Sequence, residues 1–81
     1  MRISVHFWSY FQELAGTARA ELELGDGATV GDALTAVAVR FPKWAELRKS
    51  TLVAVGVEYA EPGQRLGAGD ELSLFPPVQG G

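Results

Sequence analysis

Apolar and polar residues alternate from the start of the chain. Ile3, Val5 and Phe7 interleave with Ser4, His6 and Trp8, the period-two pattern of a strand with one buried face. Trp8 falls on the outward side, an unusual residue to leave in water. Tyr10 to Ala15 predicts a short helical turn closed by Gly16. Ala18, Ala20, Leu22 and Leu24 alternate with Arg19, Glu21 and Glu23, which predicts a second strand. Gly25-Asp26-Gly27 then makes a turn. The strongest signal follows. Thr29 is a helix N-cap with Asp32 three residues on, a capping box with Asp in place of the usual Glu. Val30, Ala33, Leu34, Val37 and Phe41 form one apolar helical stripe. Pro42 ends it, because a residue before proline is pushed out of the α region. Pro42 to Lys49 predicts a second short helix, with Trp44 and Leu47 on one side.

Leu52 to Val57 is half β-branched and almost entirely apolar, the mark of a central strand. Glu58-Tyr59-Ala60 with Pro62-Gly63 reads as a weak edge segment and a turn, and Gly67 to Asp70 as another turn. Leu72 and Leu74 alternate with Glu71, Ser73 and Phe75 in a last strand. Pro76 and Pro77 end it, since proline cannot donate to a ladder. A sheet with one main helix must lay that helix across one face. The first and last strands can pair in parallel because the rest of the chain crosses between them. The expected fold is an α+β β-grasp, the ubiquitin-like roll: a mixed sheet, residues 1–75, with a flexible Gly-Gly tail at 76–81. Ile3, Val5, Phe7, Leu22, Leu24, Leu34, Val37, Phe41, Leu72 and Leu74 are its predicted core.

That pairing would set Trp8 and Phe75 on the open face, beside the root of the tail. Two aromatics bury roughly 150–250 Å² each when covered, about 8–12 kcal/mol gross. Association costs of about 4–15 kcal/mol consume most of that, so tight binding would need the tail as a second contact.

Composition narrows the chemistry. The 81 residues make one domain and contain no Cys, which rules out disulfides, thiolate metal sites and Cys nucleophiles. The net charge is −3 with no basic cluster, which argues against nucleic acid. No apolar run approaches the ~20 residues of a membrane span, and the start lacks the continuous apolar region of a signal peptide. A cytoplasmic location is expected. His6 is the single histidine, and nothing is placed to form a triad with it. Glu21 and Glu23 read as a solvated strand face, and Glu13, Glu58 and Glu61 have no identifiable partner. The glycine turns precede no Lys-Ser/Thr pair, and no metal-ligand spacing occurs. These are not the parts of an independent enzyme.

The final stretch, Val78-Gln79-Gly80-Gly81, has no periodic partner. Fully extended it reaches roughly 13–14 Å. Glycine carries no Cβ, so Gly80 and Gly81 can enter a channel too narrow for other residues. A terminal carboxylate, with a pKa of about 3.3–3.7, is ionised at neutral pH and is a poor acyl acceptor. ATP can activate it as an acyl adenylate, which then accepts a sulfur or amine nucleophile.

The chain resembles the small, sulfur-carrier subunits of molybdopterin synthase (MoaD-type), within the MoaD/ThiS group of ubiquitin-like proteins. The resemblance rests on Phe7-Trp8, Glu13-Leu14-Ala15-Gly16, the helix from Thr29-Val30, Leu52-Val53-Ala54-Val55, Gly69-Asp70-Glu71-Leu72 and Phe75-Pro76-Pro77-Val78-Gln79-Gly80-Gly81. The chain departs from the pattern at Gly56, where relatives often carry Asn, and at Gln12, where Arg is common. The resemblance implies that an E1-like adenylyltransferase uses ATP to adenylate Gly81, and that sulfur transfer makes a thiocarboxylate. The tail, Gly80 and Gly81 included, would then enter the large subunit and give sulfur to cyclic pyranopterin monophosphate, building the molybdopterin dithiolene. It also implies a heterotetramer with the large subunit, aromatic anchors at Trp8 and Phe75, partner contacts from Pro76, Pro77, Val78 and Gln79, and no metal or tightly bound cofactor. Three alternatives remain open: a carrier for thiamine or cysteine synthesis, a ubiquitin-like modifier joined to lysines, and a plain interaction domain. Pro76-Pro77 and the Pro42 to Lys49 helix argue against the shorter thiamine type.

Overall fold

A computed structural model describes residues 1–77. Five strands form one mixed sheet: β1 (Arg2–Phe7), β2 (Arg19–Glu23), β3 (Leu52–Val55), β4 (Glu58–Tyr59) and β5 (Glu71–Phe75). Their order is β2-β1-β5-β3-β4. β1 runs parallel to β5, with Val5 opposite Leu72 and Phe7 opposite Leu74, while the other neighbours are antiparallel. Three helices complete the fold: α1 (Phe11–Ala15), α2 (Val30–Arg40) and α3 (Pro42–Ala45). This is the β-grasp, ubiquitin-like fold expected from the sequence.

The alternation in β1 and β5 decides the layering. Ile3, Val5, Phe7, Leu72 and Leu74 are buried on one side, against Val30, Ala33, Leu34 and Val37 of α2. The start of α2 is held tightly. Thr29 and Asp32 form the expected capping box, with Thr29 N–H donating to Asp32 Oδ2 (2.9 Å) and Asp32 N–H to Thr29 Oγ1 (3.2 Å). The next two free N–H groups donate to the 62–64 loop, Val30 to the Gln64 carbonyl and Gly31 to the Pro62 carbonyl, both at 2.8 Å. A Cβ on Gly31 would lie 3.3 Å from that Pro62 oxygen, so glycine lets the loop approach the helix closely.

Several expectations need correction. Pro42 to Lys49 is not one helix. α3 ends at Ala45, and a separate 3-10 turn spans Arg48–Ser50. Phe41 leaves the α region as the proline rule demands, at φ −126°, and is only partly buried, as is Leu24. The core gains residues that strand and stripe counting missed: Phe11, Trp44 and Leu66 are buried. Trp44 is 0% exposed, and its Nε1 has no hydrogen-bond partner. The indole therefore serves there through its volume. The strand predicted over Leu52 to Val57 stops at Val55, because Gly56 turns at φ +62°. Glycine and asparagine tolerate positive φ best, which accounts for either standing at this position. β3 is an interior strand, paired on both sides as its apolar run predicts. β5 holds the centre, and β3 lies between it and the two-residue edge strand β4.

Trp44→Ala should cost about 3–5 kcal/mol, as for other buried aromatics. Val57 is 100% exposed, and Val57→Ser should stay within about 0.5 kcal/mol. Urea denaturation of both variants measures the contrast.

Candidate functional site, the open face at the root of the tail

The sheet face turned away from α2 is uncovered by any element of the described chain. Register fixes what it displays. One row runs Glu21, Ser4, Glu71 across β2, β1 and β5, and the next runs Arg19, His6, Ser73, Ala54, Tyr59 across all five strands. Beyond it, Leu52 stands opposite Phe75. The face is therefore charged at one end and aromatic at the other.

Ion pairs knit the charged end. Arg2 Nε donates to Glu23 at 2.9 Å and Arg2 Nη1 lies 3.6 Å from Glu21, while Arg19 Nη1 donates to Glu71 at 3.0 Å. The hydrogen bond to Glu23, then attraction to Glu23 and Glu21, raises the Arg2 pKa above its ordinary value. These groups are open to water, so screening leaves them little weight in stability. Glu21 and Glu23 are thus solvated strand carboxylates, as the sequence suggests.

Trp8 and Phe75 meet at the aromatic end. The Trp8 N–H donates to the Leu74 carbonyl at 3.1 Å, extending the β1–β5 pairing one residue beyond β1. The chain then turns through Ser9 at φ +54°, and Phe11 N–H donates back to the Trp8 carbonyl at 3.1 Å. Those bonds hold Trp8 in place. Its ring stacks on Phe75 with centroids 5.4 Å apart and planes 14° from parallel. Trp8 is still 39% exposed.

Trp8, Ser9, Tyr10, Leu52, Tyr59, Phe75, Pro76 and Pro77 line a groove of about 550 Å³. The structure thus brings together four of the predicted site residues: Trp8, Phe75, Pro76 and Pro77. The other four, Val78, Gln79, Gly80 and Gly81, lie outside the described residues. Sequence reading missed Tyr10, Leu52 and Tyr59. Leu52 was legible in principle, since it shares outward parity with Ala54. Tyr59 was not, because two residues of β4 carry no periodicity. Among the described residues, no group of three His, Asp or Glu side chains could hold a metal ion. No helix there is long and apolar enough to cross a membrane.

The fold, with an open face leading to a Pro-Pro root and a Gly-Gly sequence, defines the class of ubiquitin-like β-grasp proteins. Within it, the chain belongs to the ThiS family, whose model matches residues 5–81. A relative in Chlamydomonas reinhardtii named molybdopterin synthase sulfur carrier subunit is 34% identical over 83 residues, covering 100% of both chains. Small archaeal modifier protein 1 of Haloferax volcanii is 38% identical over 85 residues, covering 91% of this chain and 98% of its own. A crystal structure of SAMP1 from that organism matches with a TM-score of 0.88 and 34% identity over 100% of both chains. The fold also matches a chain in the complex of subunits 1 and 2 of molybdopterin-converting factor from Helicobacter pylori, with a TM-score of 0.72 and 21% identity over 100% of both chains.

Phe75→Ala should remove the ring stack at a cost of about 0.5–1.5 kcal/mol beyond the lost area, with the fold kept. The Trp8 indole N–H resonance should shift while core methyl signals stay in place. Collapse of the core signals would place Phe75 in the fold rather than on the face.

Proposed function

We propose that this chain is a sulfur carrier for molybdopterin synthesis, with Gly81 as the reactive residue. The observation that carries this is the family match running through to Gly81, together with a relative of that name aligned along its whole length. Chemical logic agrees. The Gly81 carboxylate attacks the α-phosphate of ATP on an E1-like adenylyltransferase, and pyrophosphate leaves. Hydrosulfide then displaces AMP, the acyl–oxygen bond breaking as the acyl–sulfur bond forms, and leaves a thiocarboxylate. In the synthase, that sulfur adds to a side-chain carbon of the cyclic pyranopterin monophosphate while the carbon–oxygen bond there breaks and its oxygen leaves, and each carrier delivers one of the two dithiolene sulfurs. Water cleaves the acyl–sulfur bond, returning the Gly81 carboxylate and leaving sulfur on the pterin.

The chain itself supplies no acid, base or metal to these steps. It acts as the non-catalytic subunit of a sulfurtransferase, and ATP belongs to the activating enzyme. The aromatic face supports a docking role, with Trp8, Phe75, Pro76 and Pro77 seated against the large subunit while Val78 to Gly81 reach its active site. Two such subunits flanking a dimer of large subunits would form a heterotetramer in the cytoplasm.

A second role has its own support, because the Haloferax volcanii relative is named a modifier protein. The adenylate could pass to a lysine amine as well as to sulfur. Both fates share the same first step.

Reconstitution with the activating enzyme, ATP, a sulfur source, the large subunit and cyclic pyranopterin monophosphate tests the proposal. The full chain should yield molybdopterin, and a chain lacking Gly81 should yield none. If the full chain instead yields lysine conjugates on a denaturing gel and no molybdopterin, the modifier role replaces the carrier role.

A further inference from the structure

The aromatic face carries one polar ring that neither the fold nor the carrier chemistry uses. His6 stands on the outward side of β1, opposite Arg19 on one side and Ser73 on the other. Its imidazole stacks on Trp8 with centroids 4.0 Å apart and planes 29° from parallel. Trp8 stacks in turn on Phe75. The three rings form one pile leading from β1 to the root of the tail.

The two nitrogens of His6 have different surroundings. Nδ1 is sealed from solvent and has no hydrogen-bond partner, while Nε2 is not sealed in this way. Among the described residues, no side chain bonds to either. A neutral imidazole has one N–H donor and one bare acceptor. A hydrogen on Nδ1 would bury a donor with nothing to receive it, and orphaned buried N–H groups are rarer than under-satisfied acceptors. A hydrogen on Nε2 avoids that buried, unpartnered donor. Arg19, the flanking cation, is already engaged by Glu71 at 3.0 Å, and Ser73 is buried.

We infer that His6 is a specificity-determining contact, whose Nε2–H donates to an acceptor oxygen on the docking protein within the aromatic face. The inference rests on the docking role proposed for that face. Trp8 and Phe75 would exclude water from such a bond. A partner lacking the oxygen would strand the donor, and a carrier lacking the donor would strand the oxygen.

The test has two parts. Because His6 is the single histidine, long-range proton–nitrogen spectra at mildly alkaline pH report its tautomer without ambiguity. The expected result is the Nε2–H form, and an Nδ1–H form overturns the inference. The second part titrates the molybdopterin synthase large subunit from the same genome with the unaltered chain, His6→Phe and Trp8→Ala. His6→Phe keeps a flat ring for the stack but removes the donor. It should bind roughly tenfold more weakly, with its unfolding midpoint unchanged. If His6→Phe binds as tightly as the unaltered chain while Trp8→Ala still weakens binding, the inference is wrong and the docking face stands. If Trp8→Ala has no effect, or the unaltered chain does not bind, the docking role itself fails and the inference falls with it.

Discussion

The parallel pairing of β1 with β5 is the constraint on which the rest of the structure depends. Parallel neighbours cannot be joined by a tight turn, so a crossover out of the sheet must lie between them. α2 makes that crossing and covers one face. No element of the described chain covers the other face. Because Val5 stands opposite Leu72 and Phe7 opposite Leu74, the two strands finish together. Trp8 and Phe75 therefore emerge side by side, 5.4 Å apart, with two prolines immediately after. One backbone pairing thus sets the core, the exposed aromatic face and the exit point of the tail.

Much of this was legible because it is written in short-range patterns. The alternation of β1 and β5 gave their buried sides, and Thr29 with Asp32 gave the start of α2 to the residue. The placement of Trp8 and Phe75 on one open face followed from one topological step beyond those patterns, and the structure adds their ring stack. What escaped the sequence depends on contacts between distant segments. Trp44 lies in a four-residue helix, too short for a stripe, and is buried because α1 and α2 both pack around it. Leu66 sits in an irregular loop whose burial follows from backbone bonds to the start of α2. The mostly apolar run at Leu52 suggested a central strand and β3 is indeed paired on both sides, though Gly56 ends it early.

The open face also separates two kinds of work. Its charged end is internally paired and offers little unsatisfied charge to a partner. Its aromatic end is preorganised by backbone bonds at Trp8, so little ordering remains to be done on docking. Such a face suits the docking role proposed for it. In the proposed function the chemistry belongs to Gly81, and the body serves to present it.

The most direct measurement is thiol labelling after incubation with ATP, an E1-like activating enzyme and a sulfur source. The chain has no Cys, so it has no native thiol to react. A sulfur carrier should take up one thiol-specific alkylating group, mapped by fragmentation to Gly81. An adenylate that forms and yet leaves the chain unlabelled would contradict the account.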